Sequence, residues 1–325
     1  MKGTTALHPA GTEVLRTFSA MASTVSVRLL NPRSDSSQAL DEVESLFARV
    51  ESTCTRFNPD SDLMRANAAA KKWCEVSPTC SAVIAEAFSA YQRTHGRFDP
   101  RVLPALQALG YDRTWTRMPA DTTPSAAHPR PVPRRAWQPR FDLAGARVKV
   151  GSTPIDLGGI GKGYAVREAL ELLRGHAESA LVSAGGDLAT FGPGPRGDRW
   201  LVSVDDPTCG QEPVAVLGIA DTSVATSSVQ RRRWHRDGQV VHHLIDPRTG
   251  TSADSGLHGV TVVHPDNAVA ETLTKTGFLA GHRNIRRLMD EQQIPAVWVT
   301  ADGRVRFSAA ARNLVEWNVN RVPGK

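Results

Sequence analysis

Short apolar runs of four to six residues recur through the C-terminal half of the chain, separated by glycine, proline and aspartate. Runs of this length between turn residues are typical of β-strands. They lie at residues 147–150, 180–183, 200–204, 214–219, 240–245, 260–263 and 296–300. Helical periodicity interrupts them at Tyr164–Leu173 and Ala268–Leu279. Strands in series, with helices grouped apart from them, predict an α+β fold.

The N-terminal half combines one predicted strand with two predicted helices. Apolar and polar residues alternate within Phe18–Leu30, which predicts a half-buried strand. Apolar residues recur at helical spacing in Ser37–Cys54, and again from Val83 to near Gly96, which predicts two amphipathic helices. The intervening segment, residues 55–67, is polar and turn-prone, so we expect a loop there.

The composition is that of a globular protein with a mildly positive charge. Of its 325 residues, 40% are hydrophobic and 22% are charged, and 39 Lys and Arg against 33 Asp and Glu leave a formal charge of +6. These proportions exclude a disordered or fibrous chain. Lys and Arg are scattered rather than gathered in a stripe, so we expect no binding of nucleic acid. A small polyanion would suit the positive potential equally well.

The sequence carries no pattern of membrane insertion or export. No run approaches the roughly 18 consecutive apolar residues of a membrane span. Met1–Met21 lacks the apolar stretch and cleavage site of a signal peptide, and it has no cysteine that could carry a lipid. We therefore expect a cytoplasmic protein with no membrane span.

Four cysteines, Cys54, Cys74, Cys80 and Cys209, form no CxxC pair and lie near no histidine at zinc-finger spacing. Such a pattern is typical of isolated thiols in a reducing compartment. A disulfide between Cys74 and Cys80 remains an alternative that the sequence leaves open.

A proline- and arginine-rich segment separates the two halves of the chain. Arg113–Arg140 contains six prolines and six arginines without any periodicity. We interpret it as a long, solvated surface loop rather than a linker between domains. A lid or a contact with a partner is the alternative function.

The segment Asp156–Tyr164 has the clearest chemical character. Its sequence DLGGIGKGY places four glycines and Lys162 between an apolar run and a helical pattern. Glycines allow close backbone approach, and a helix N-terminus offers unpaired N–H groups and positive dipole to a phosphate. The spacing matches neither the Walker A loop nor the GxGxxG dinucleotide motif. We predict a phosphate cradle, with a tight strand-to-helix turn and an incidental lysine as the alternative.

Two further segments carry candidate chemistry. Gly185-Gly186 follows a predicted strand, and the pair serves either a close backbone approach or a simple β-turn. His242 and His243 are consecutive in a strand and face opposite sides, so they cannot chelate one metal together. His243 could act as a general base, and Asp246 either orients it or stabilises the turn that follows.

Taken together and in this order, segments between Met21 and Gly281 resemble the FAD:protein FMN transferase (ApbE) family. The matching segments are Met21–Thr24, Phe57–Asn67, Gly96–Pro104, Asp156–Tyr164, Ser183–Asp187, Ala225–Ser227, His242–Gly250 and Ala270–Gly281. The resemblance implies an α+β architecture in which T-fold-like antiparallel sheets and helices form one composite flavin site. It also implies a single domain at residues 18–312, with tails at 1–17 and 313–325.

The function implied by this resemblance is the transfer of FMN from FAD to a threonine or serine hydroxyl of a target flavoprotein, with release of AMP. The expected partners are therefore FAD and that flavoprotein. Two alternatives stay open: an FAD pyrophosphatase that produces FMN and AMP, and a catalytically inactive flavin-binding protein.

The resemblance also assigns residues to roles. His243 matches the family's catalytic histidine, and Lys162 would assist at the phosphates. The positions that match family flavin contacts are Met21, Phe57, Arg97, Phe98, Asp99, Gly158 and Tyr164. Ordinary core packing is the alternative for the two phenylalanines.

The sequence departs from the family at the metal site. Relatives commonly bind magnesium through an aspartate, a threonine four residues later and a backbone carbonyl of the glycine turn. The matching residues here are Glu271, Lys275 and Gly161, and a protonated lysine has no lone pair for a metal. Either Lys275 forms an ordinary ion pair with Glu271, or its ammonium replaces Mg2+, so that the protein needs less divalent metal or none. Arg101 replaces another family threonine and could contact phosphate, with an ordinary surface arginine as the alternative.

Overall fold

In a computed structural model of the protein, the described residues are 12–114, 121–122, 128–142, 144–208, 210–230 and 232–319. The helices are α1 (Ser36–Cys54), α2 (Asp62–Ala69), α3 (Pro78–Arg93), α4 (Leu103–Ala108), α5 (Gly161–Leu173) and α6 (Asn267–Glu291). The strands of the first half are β1 (Glu13–Ala20), β2 (Ser23–Pro32), β3 (Cys74–Glu75), β4 (Asp121–Thr122), β5 (Arg140–Asp142) and β6 (Arg147–Lys149). Those of the second half are β7 (Ala177–Ala184), β8 (Asp187–Phe191), β9 (Trp200–Val204), β10 (Ala215–Ile219), β11 (Ser223–Ser228), β12 (Arg233–Arg236), β13 (Gln239–His242), β14 (Ile245–Asp246), β15 (Thr251–Ser252), β16 (Leu257–His264), β17 (Ala296–Thr300), β18 (Val305–Phe307) and β19 (Val315–Asn318).

Among these strands, eight form one antiparallel sheet in the order β1-β2-β7-β8-β11-β16-β17-β18. Helices α1, α5 and α6 pack on one face of it, and a smaller sheet of β9, β10 and β19 packs on the other. Successive side chains of β2 point to opposite faces of the sheet and so contribute to both layers. Val27 and Leu29 join the core under α1 and α5, whereas Leu30 joins the core under the smaller sheet. The predicted α+β fold with antiparallel sheets and helices is confirmed.

The first predicted strand is in fact a hairpin. The alternating pattern of Phe18–Leu30 continues through a two-residue turn at Met21 and Ala22, and β1 pairs with β2 on either side of it. Both turn residues have φ of 53°, the conformation of a type I′ turn, which usually contains Asn or Gly. Because neither residue is one of these turn formers, the sequence did not indicate the turn.

Each of the two predicted tails contains part or all of a strand. Strand β1 begins at Glu13, inside the predicted tail 1–17, because this half-exposed edge strand lacks an apolar run. Strand β19 lies inside the predicted tail 313–325 and pairs with β10, where Trp317 stands opposite Val216.

Helix α1 and the helical pattern from Val83 are confirmed, whereas the loop predicted at residues 55–67 is partly wrong. Helix α2 begins there at Asp62, and the Ser61 hydroxyl accepts the Met64 N–H at 3.1 Å as its N-cap. None of the helices of the described chain is long and apolar enough to cross a membrane.

Helix α5 confirms the predicted helical stretch of residues 164–173 and begins three residues earlier. Helix α6 confirms the start of the stretch at 268–279 and continues to Glu291 beyond a kink at Gly281, where φ is 74°.

Strands β8 and β11 were not predicted, although both lie in the centre of the eight-stranded sheet. Their sequences DLATF and SVATSS are short and partly polar, so they produce little apolar signal. The predicted run 240–245 is also divided between β13 and β14, because residues 243 and 244 leave the strand.

The described part of the proline- and arginine-rich segment, residues 128–140, is mostly exposed, and three buried residues, Val132, Trp137 and Pro139, anchor it to the protein. Trp137 is buried and donates from Nε1 to the Val150 carbonyl at 2.7 Å. The Val132 N–H donates to the carbonyl of Pro247 at 2.8 Å, so this segment lies against the turn that follows His243.

The disulfide alternative for Cys74 and Cys80 is wrong, since both are free thiols, as is Cys54. Cys209 lies outside the described residues.

Candidate active site

A long cleft opens beside the N-terminus of α5, and it has two halves of different character. The apolar half has an empty volume of about 1350 Å3, counting its open mouth, and its walls include Met21, Phe57, Phe98, Tyr111 and Leu157. The polar half has an empty volume of about 1220 Å3, and its walls include Ser183, Gly185, Gly186, Thr226, Ser227 and Glu271. We use the term junction for the residues that line both halves, which are Ala22, Gly158, Lys162, Arg232, His243 and Lys275.

Aromatic side chains shape the apolar half. The rings of Phe57 and Tyr111 lie 5.9 Å apart, and the Arg56 guanidinium lies 4.3 Å from the centroid of each ring. Arg56 is held from the other side by Asp156, whose carboxylate is 3.1 Å from its Nε. This arrangement fixes two aromatic rings in the wall of the pocket, and aromatic walls suit a planar ligand.

The β1–β2 turn brings Met21 into the cleft. A positive φ in a non-glycine residue is strained, and such strain persists where the surrounding structure imposes it. Here the strand pairing on both sides fixes the turn. A Cβ placed on Gly161 would lie 3.2 Å from the Met21 Cε, so the glycine lets this side chain reach the glycine-rich turn.

Four charged side chains meet on the floor of the polar half. Lys162 of α5 contacts Asp187 of β8 and lies 3.2 Å from Oε1 of Glu271 on α6. The Lys275 Nζ lies 3.2 Å from the same Oε1 and 3.1 Å from the backbone oxygen of Glu271. Both lysine side chains are less than one-fifth exposed, and both carboxylates are almost fully buried. We call these four residues the charge network.

Burial and mutual attraction compete in the charge network. Burial alone would raise the pKa of Glu271, but Lys162 and Lys275 lower it to about 2. For Asp187, burial outweighs its contact with Lys162 and raises the pKa to about 6. Burial opposes the charge of Lys162, but Asp187 and Glu271 hold its pKa above the usual value. Burial lowers the pKa of Lys275 despite the contact with Glu271.

The backbone at the start of α5 differs from the predicted phosphate cradle. The N–H groups of Gly161 and Tyr164 donate to backbone oxygens at 2.9 and 3.0 Å, and that of Gly163 donates to Oε2 of Glu271 at 2.8 Å. The buried Glu271 carboxylate therefore already occupies the Gly163 N–H and lies at the positive end of the helix dipole. The prediction of unpaired groups is wrong for these three N–H donors, and the positive charge of the site comes from side chains.

Glycines in both motifs allow neighbouring segments of the protein to pack closely. A Cβ on Gly163 would lie 2.6 Å from the Asn267 carbonyl oxygen, so this glycine allows α5 to pack against α6. Gly185 and Gly186 form the turn between β7 and β8, and a Cβ on Gly186 would lie 2.7 Å from the Thr226 carbonyl oxygen. The β-turn interpretation of this pair is confirmed, and the close approach is to a neighbouring strand.

His243 projects into the junction with one ring nitrogen held by the backbone. Its Nδ1 lies 3.3 Å from the carbonyl oxygen of Arg232, which can only accept a hydrogen bond. Nδ1 therefore carries the hydrogen, and Nε2 keeps a lone pair. Burial, together with the charges of Arg232 and Lys275, holds the pKa of His243 well below 6.5. The imidazole is thus neutral at pH 7 and able to accept a proton.

His242 is the last residue of β13 and does not line the cleft, whereas His243 lies just beyond the strand. The His242 ring meets the edge of Phe278 with centroids 6.0 Å apart. Asp246 stabilises the turn that follows His243, which is the second of its two proposed roles. Its carboxylate accepts the Arg248 N–H at 2.9 Å and pairs with the guanidinium of the same residue.

Arg101 was predicted either to contact phosphate or to be a surface arginine, and the structure supports neither role. Its side chain is buried, donates to both carboxylate oxygens of Asp99 at 3.0 and 2.7 Å, and also donates to the Arg135 carbonyl. The Asp99 carboxylate and the Arg135 carbonyl bind its donors, and Arg101 lines neither half of the cleft. Asp99 does line the apolar half.

The structure brings most of the proposed flavin contacts together. Six of the seven proposed flavin contacts line the apolar half: Met21, Phe57, Arg97, Phe98, Asp99 and Gly158. Tyr164 does not line it; its ring packs between two core clusters with the Arg167 guanidinium 5.2 Å from its centroid. Tyr164 lies on the face of α5 that packs against the core, so its side chain does not reach the cleft.

Sequence reasoning did not select Asp187, Arg232, Arg56 or Tyr111 for the site. Asp187 lies in the matching segment Ser183–Asp187, whereas Arg232 lies in a run of three consecutive arginines. Neither has a periodic signal that would predict its position in the cleft.

The residues at the junction do not fit a magnesium ion. Mg2+ needs about six oxygen ligands in an octahedron, including one or two free carboxylates. The oxygens of Glu271 are taken by two ammonium groups and the Gly163 N–H. No cluster of three His, Cys, Asp or Glu side chains suited to a metal ion occurs within the residues described. Gly161 and Glu271, together with Lys275, therefore do not form the metal site that the resemblance implied.

Comparison with known proteins identifies the family. The model of the ApbE family matches residues 21–298. The chain belongs to the ApbE family.

Related proteins cover most of its length. The FAD:protein FMN transferase of Treponema pallidum is 29% identical over 307 residues, which span 86% of this chain and 81% of the relative. That of Haemophilus influenzae is 25% identical over 309 residues, spanning 90% and 88% of the two chains.

Solved structures of ApbE proteins share the fold. The ApbE protein of Thermotoga maritima superimposes with a TM-score of 0.80 at 24% identity, covering 94% of this chain and 100% of the other. The apo flavinyl transferase ApbE of Pseudomonas stutzeri superimposes with a TM-score of 0.77 at 23% identity, covering 95% and 98%.

Proposed function

We propose that this ApbE protein is an FAD:protein FMN transferase, which moves FMN from FAD to a threonine or serine hydroxyl of a target flavoprotein. Relatives in Treponema pallidum and Haemophilus influenzae have this name. The observation that carries the proposal is the junction: an aromatic-lined pocket meets a cationic pocket where the neutral imidazole of His243 lies.

The two halves correspond to the two chemical parts of the donor. A planar isoalloxazine ring would lie in the apolar half, against Phe57 and Met21. The pyrophosphate would lie at the junction, near Lys162, Lys275 and Arg232. Ammonium and guanidinium groups donate strong hydrogen bonds to phosphate oxygens, and they stabilise charge that develops as the pyrophosphate breaks.

The reaction exchanges one phosphorus–oxygen bond for another. The acceptor hydroxyl oxygen attacks the phosphorus of the FMN half, and the bond from that phosphorus to the bridging oxygen breaks. AMP leaves with the bonding electron pair, and the hydroxyl proton passes to Nε2 of His243. A phosphoester between FMN and the side chain results. The protein contributes mainly positioning and charge stabilisation, as is usual in phosphoryl transfer.

The test incubates the full chain with FAD and a threonine-bearing acceptor peptide, with and without Mg2+, and weighs the products by mass spectrometry. A peptide heavier by one FMN unit, together with free AMP, supports transfer. Free FMN and AMP with an unchanged peptide would show a pyrophosphatase instead. FAD that binds but stays intact in both buffers would show an inactive flavin-binding protein.

The same peptide with alanine in place of threonine is the matched control. Its mass must stay unchanged, because the transfer needs a hydroxyl. A flavin-bearing alanine peptide would overturn the proposed acceptor chemistry.

A further inference from the structure

Lys275 holds a fixed position at the junction. It lies one turn after Glu271 on α6, and its Nζ contacts both the side chain and the backbone oxygen of that residue, at 3.2 and 3.1 Å. The aliphatic part of its side chain rests on the glycine turn, since a Cβ on Gly159 would lie 3.0 Å from its Cε. Glycine at this position therefore makes room for the lysine, which lines both halves of the cleft.

The charges around Lys275 favour an anion over a cation. The polar half is lined by Lys162, Arg232 and Lys275, while Glu271 is its lining carboxylate and Asp187 lies buried behind. Among the described residues around the polar half, three positive side chains therefore face two negative ones, which leaves an excess of positive charge. A divalent cation would be repelled by this balance, whereas the phosphates of a dinucleotide would be attracted.

The carboxylates are already in use by the protein. Oε1 of Glu271 receives both ammonium groups, and its Oε2 receives the N–H of Gly163. Breaking these contacts to bind a metal would leave two buried ammonium groups without their partner, which is costly.

We propose that the ammonium of Lys275 supplies the positive charge that a divalent cation would bring to the phosphates, so that this protein needs no divalent metal. This inference rests on the proposed function, because it assumes that the junction holds a pyrophosphate. The ammonium donates hydrogen bonds to phosphate oxygens and stays in place while the bond to AMP breaks. Phosphate oxygens within hydrogen-bond distance would also raise the pKa of Lys275, which burial has lowered.

The first measurement needs no activity. Mn2+ alone is titrated into the protein, and free Mn2+ is followed by electron paramagnetic resonance. We expect the wild type to bind no Mn2+ at the junction, whereas Lys275→Thr removes one of the two ammonium groups from Oε1 of Glu271, adds a hydroxyl oxygen and gains one Mn2+ site. Lys72→Thr makes the same chemical change at an exposed lysine and should behave as the wild type. A wild type that binds Mn2+ as well as Lys275→Thr does would overturn the proposal.

The second measurement compares FAD turnover in EDTA and in Mg2+. The wild type should have the same turnover rate in both buffers. Lys275→Thr should be slower than the wild type in EDTA and should recover the lost turnover rate in Mg2+. Lys275→Met removes the charge without adding a ligand, so it should bind FAD about tenfold to a hundredfold more weakly in either buffer, since a charge-assisted hydrogen bond is lost. Wild-type turnover that EDTA abolishes and Mg2+ restores would overturn the inference.

The two proposals fail in different ways. A wild type that is inert in both buffers and binds no Mn2+ would overturn the proposed function alone. Its Mn2+ titration would still support the exclusion of the metal, because that readout does not depend on turnover.

Discussion

The two halves of the cleft differ in how they are built. Core residues form the apolar half: Phe98 and Leu157 are buried in a cluster with α2 and α3, and only one side of them faces the cleft. The polar half depends on the charge network, whose members come from α5, β8 and α6. A packed apolar wall binds a ligand similarly throughout a reaction, whereas fixed charges act most strongly where charge develops. Binding and chemistry should therefore respond to different substitutions.

The largest effect is expected at His243. His243→Ala removes the proton acceptor at the junction, so the turnover rate should fall by about a hundredfold to ten-thousandfold. FAD affinity should change little, because the aromatic side chains of the apolar half, such as Phe57 and Phe98, stay in place. Product mass spectrometry and FAD titration by fluorescence measure the two quantities.

The control for this variant is His242→Ala, one residue away and facing Phe278. It removes the same ring outside the cleft and should keep its turnover rate. Full activity in His243→Ala would remove this histidine from the mechanism.

The next effect concerns stability and tests whether the charge network holds the polar half together. Lys162→Met leaves the buried carboxylate of Asp187 without its partner, which should cost about 3–5 kcal/mol in the free energy of unfolding at pH 8. Near pH 5 the cost should be smaller, because Asp187, with a pKa raised to about 6, takes up a proton and becomes neutral. Urea unfolding at both pH values measures this.

The double variant with Lys162→Met and Asp187→Asn is the control, since it removes both charges together. It should recover part of the lost stability, with a coupling of about 0.5–3 kcal/mol between the two sites. Strictly additive losses would show that this ion pair contributes nothing.

A smaller effect is expected in the apolar half. Phe57→Ala removes a ring from the wall, so FAD affinity should weaken by about tenfold, since ring stacking contributes about 0.5–1.5 kcal/mol in addition to area burial. The turnover rate at saturating FAD should stay unchanged, because this contact is equal in the ground and transition states.

Phe18→Ala is the matched control, since Phe18 is half-buried against Phe47 outside the cleft. It should leave the KM for FAD unchanged. If Phe57→Ala lowered the turnover rate rather than the affinity, the division of labour between the two halves would be wrong.

The smallest effect is a displaced pH profile. Because burial holds the pKa of His243 well below 6.5, the base form persists on acidification, and kcat/KM should stay constant from pH 8 to about pH 6.5 and fall only at lower pH. FAD affinity measured over the same pH range distinguishes the fall in rate that comes from protonation of His243 from an effect of protonating Asp187. A rate that has already halved at pH 6.5 would contradict the lowered pKa.

Local patterns in the sequence predicted much of the fold. Periodic apolar residues located α1 and α5, and alternating ones located β2, since burial on one face leaves a regular trace in sequence. Strands β8 and β11 left no such trace because they are short and partly polar, and the β1–β2 turn contains no usual turn residue.

The candidate site was partly predictable for a similar reason. His243 and Lys162 belong to short motifs whose residue types suggest chemistry, and both line the junction. Tyr164 lies in the same motif as Lys162, yet its ring packs into the core, because the direction of a side chain depends on the helix as it packs. Arg101 was placed wrongly because its partner carboxylate, only two residues away, was assigned to the flavin instead.

The sequence by itself determined the strands and helices that carry periodic apolar residues, the glycine turn and the replacement of two expected metal ligands by Glu271 and Lys275. Only the tertiary structure decided what those residues do. Glu271 reaches the N–H of Gly163 across 108 positions of sequence, and Lys162 meets Asp187 across 25. Contacts between distant segments depend on how α5, α6 and β8 pack together, and burial then sets the charge balance that favours phosphate over a divalent cation.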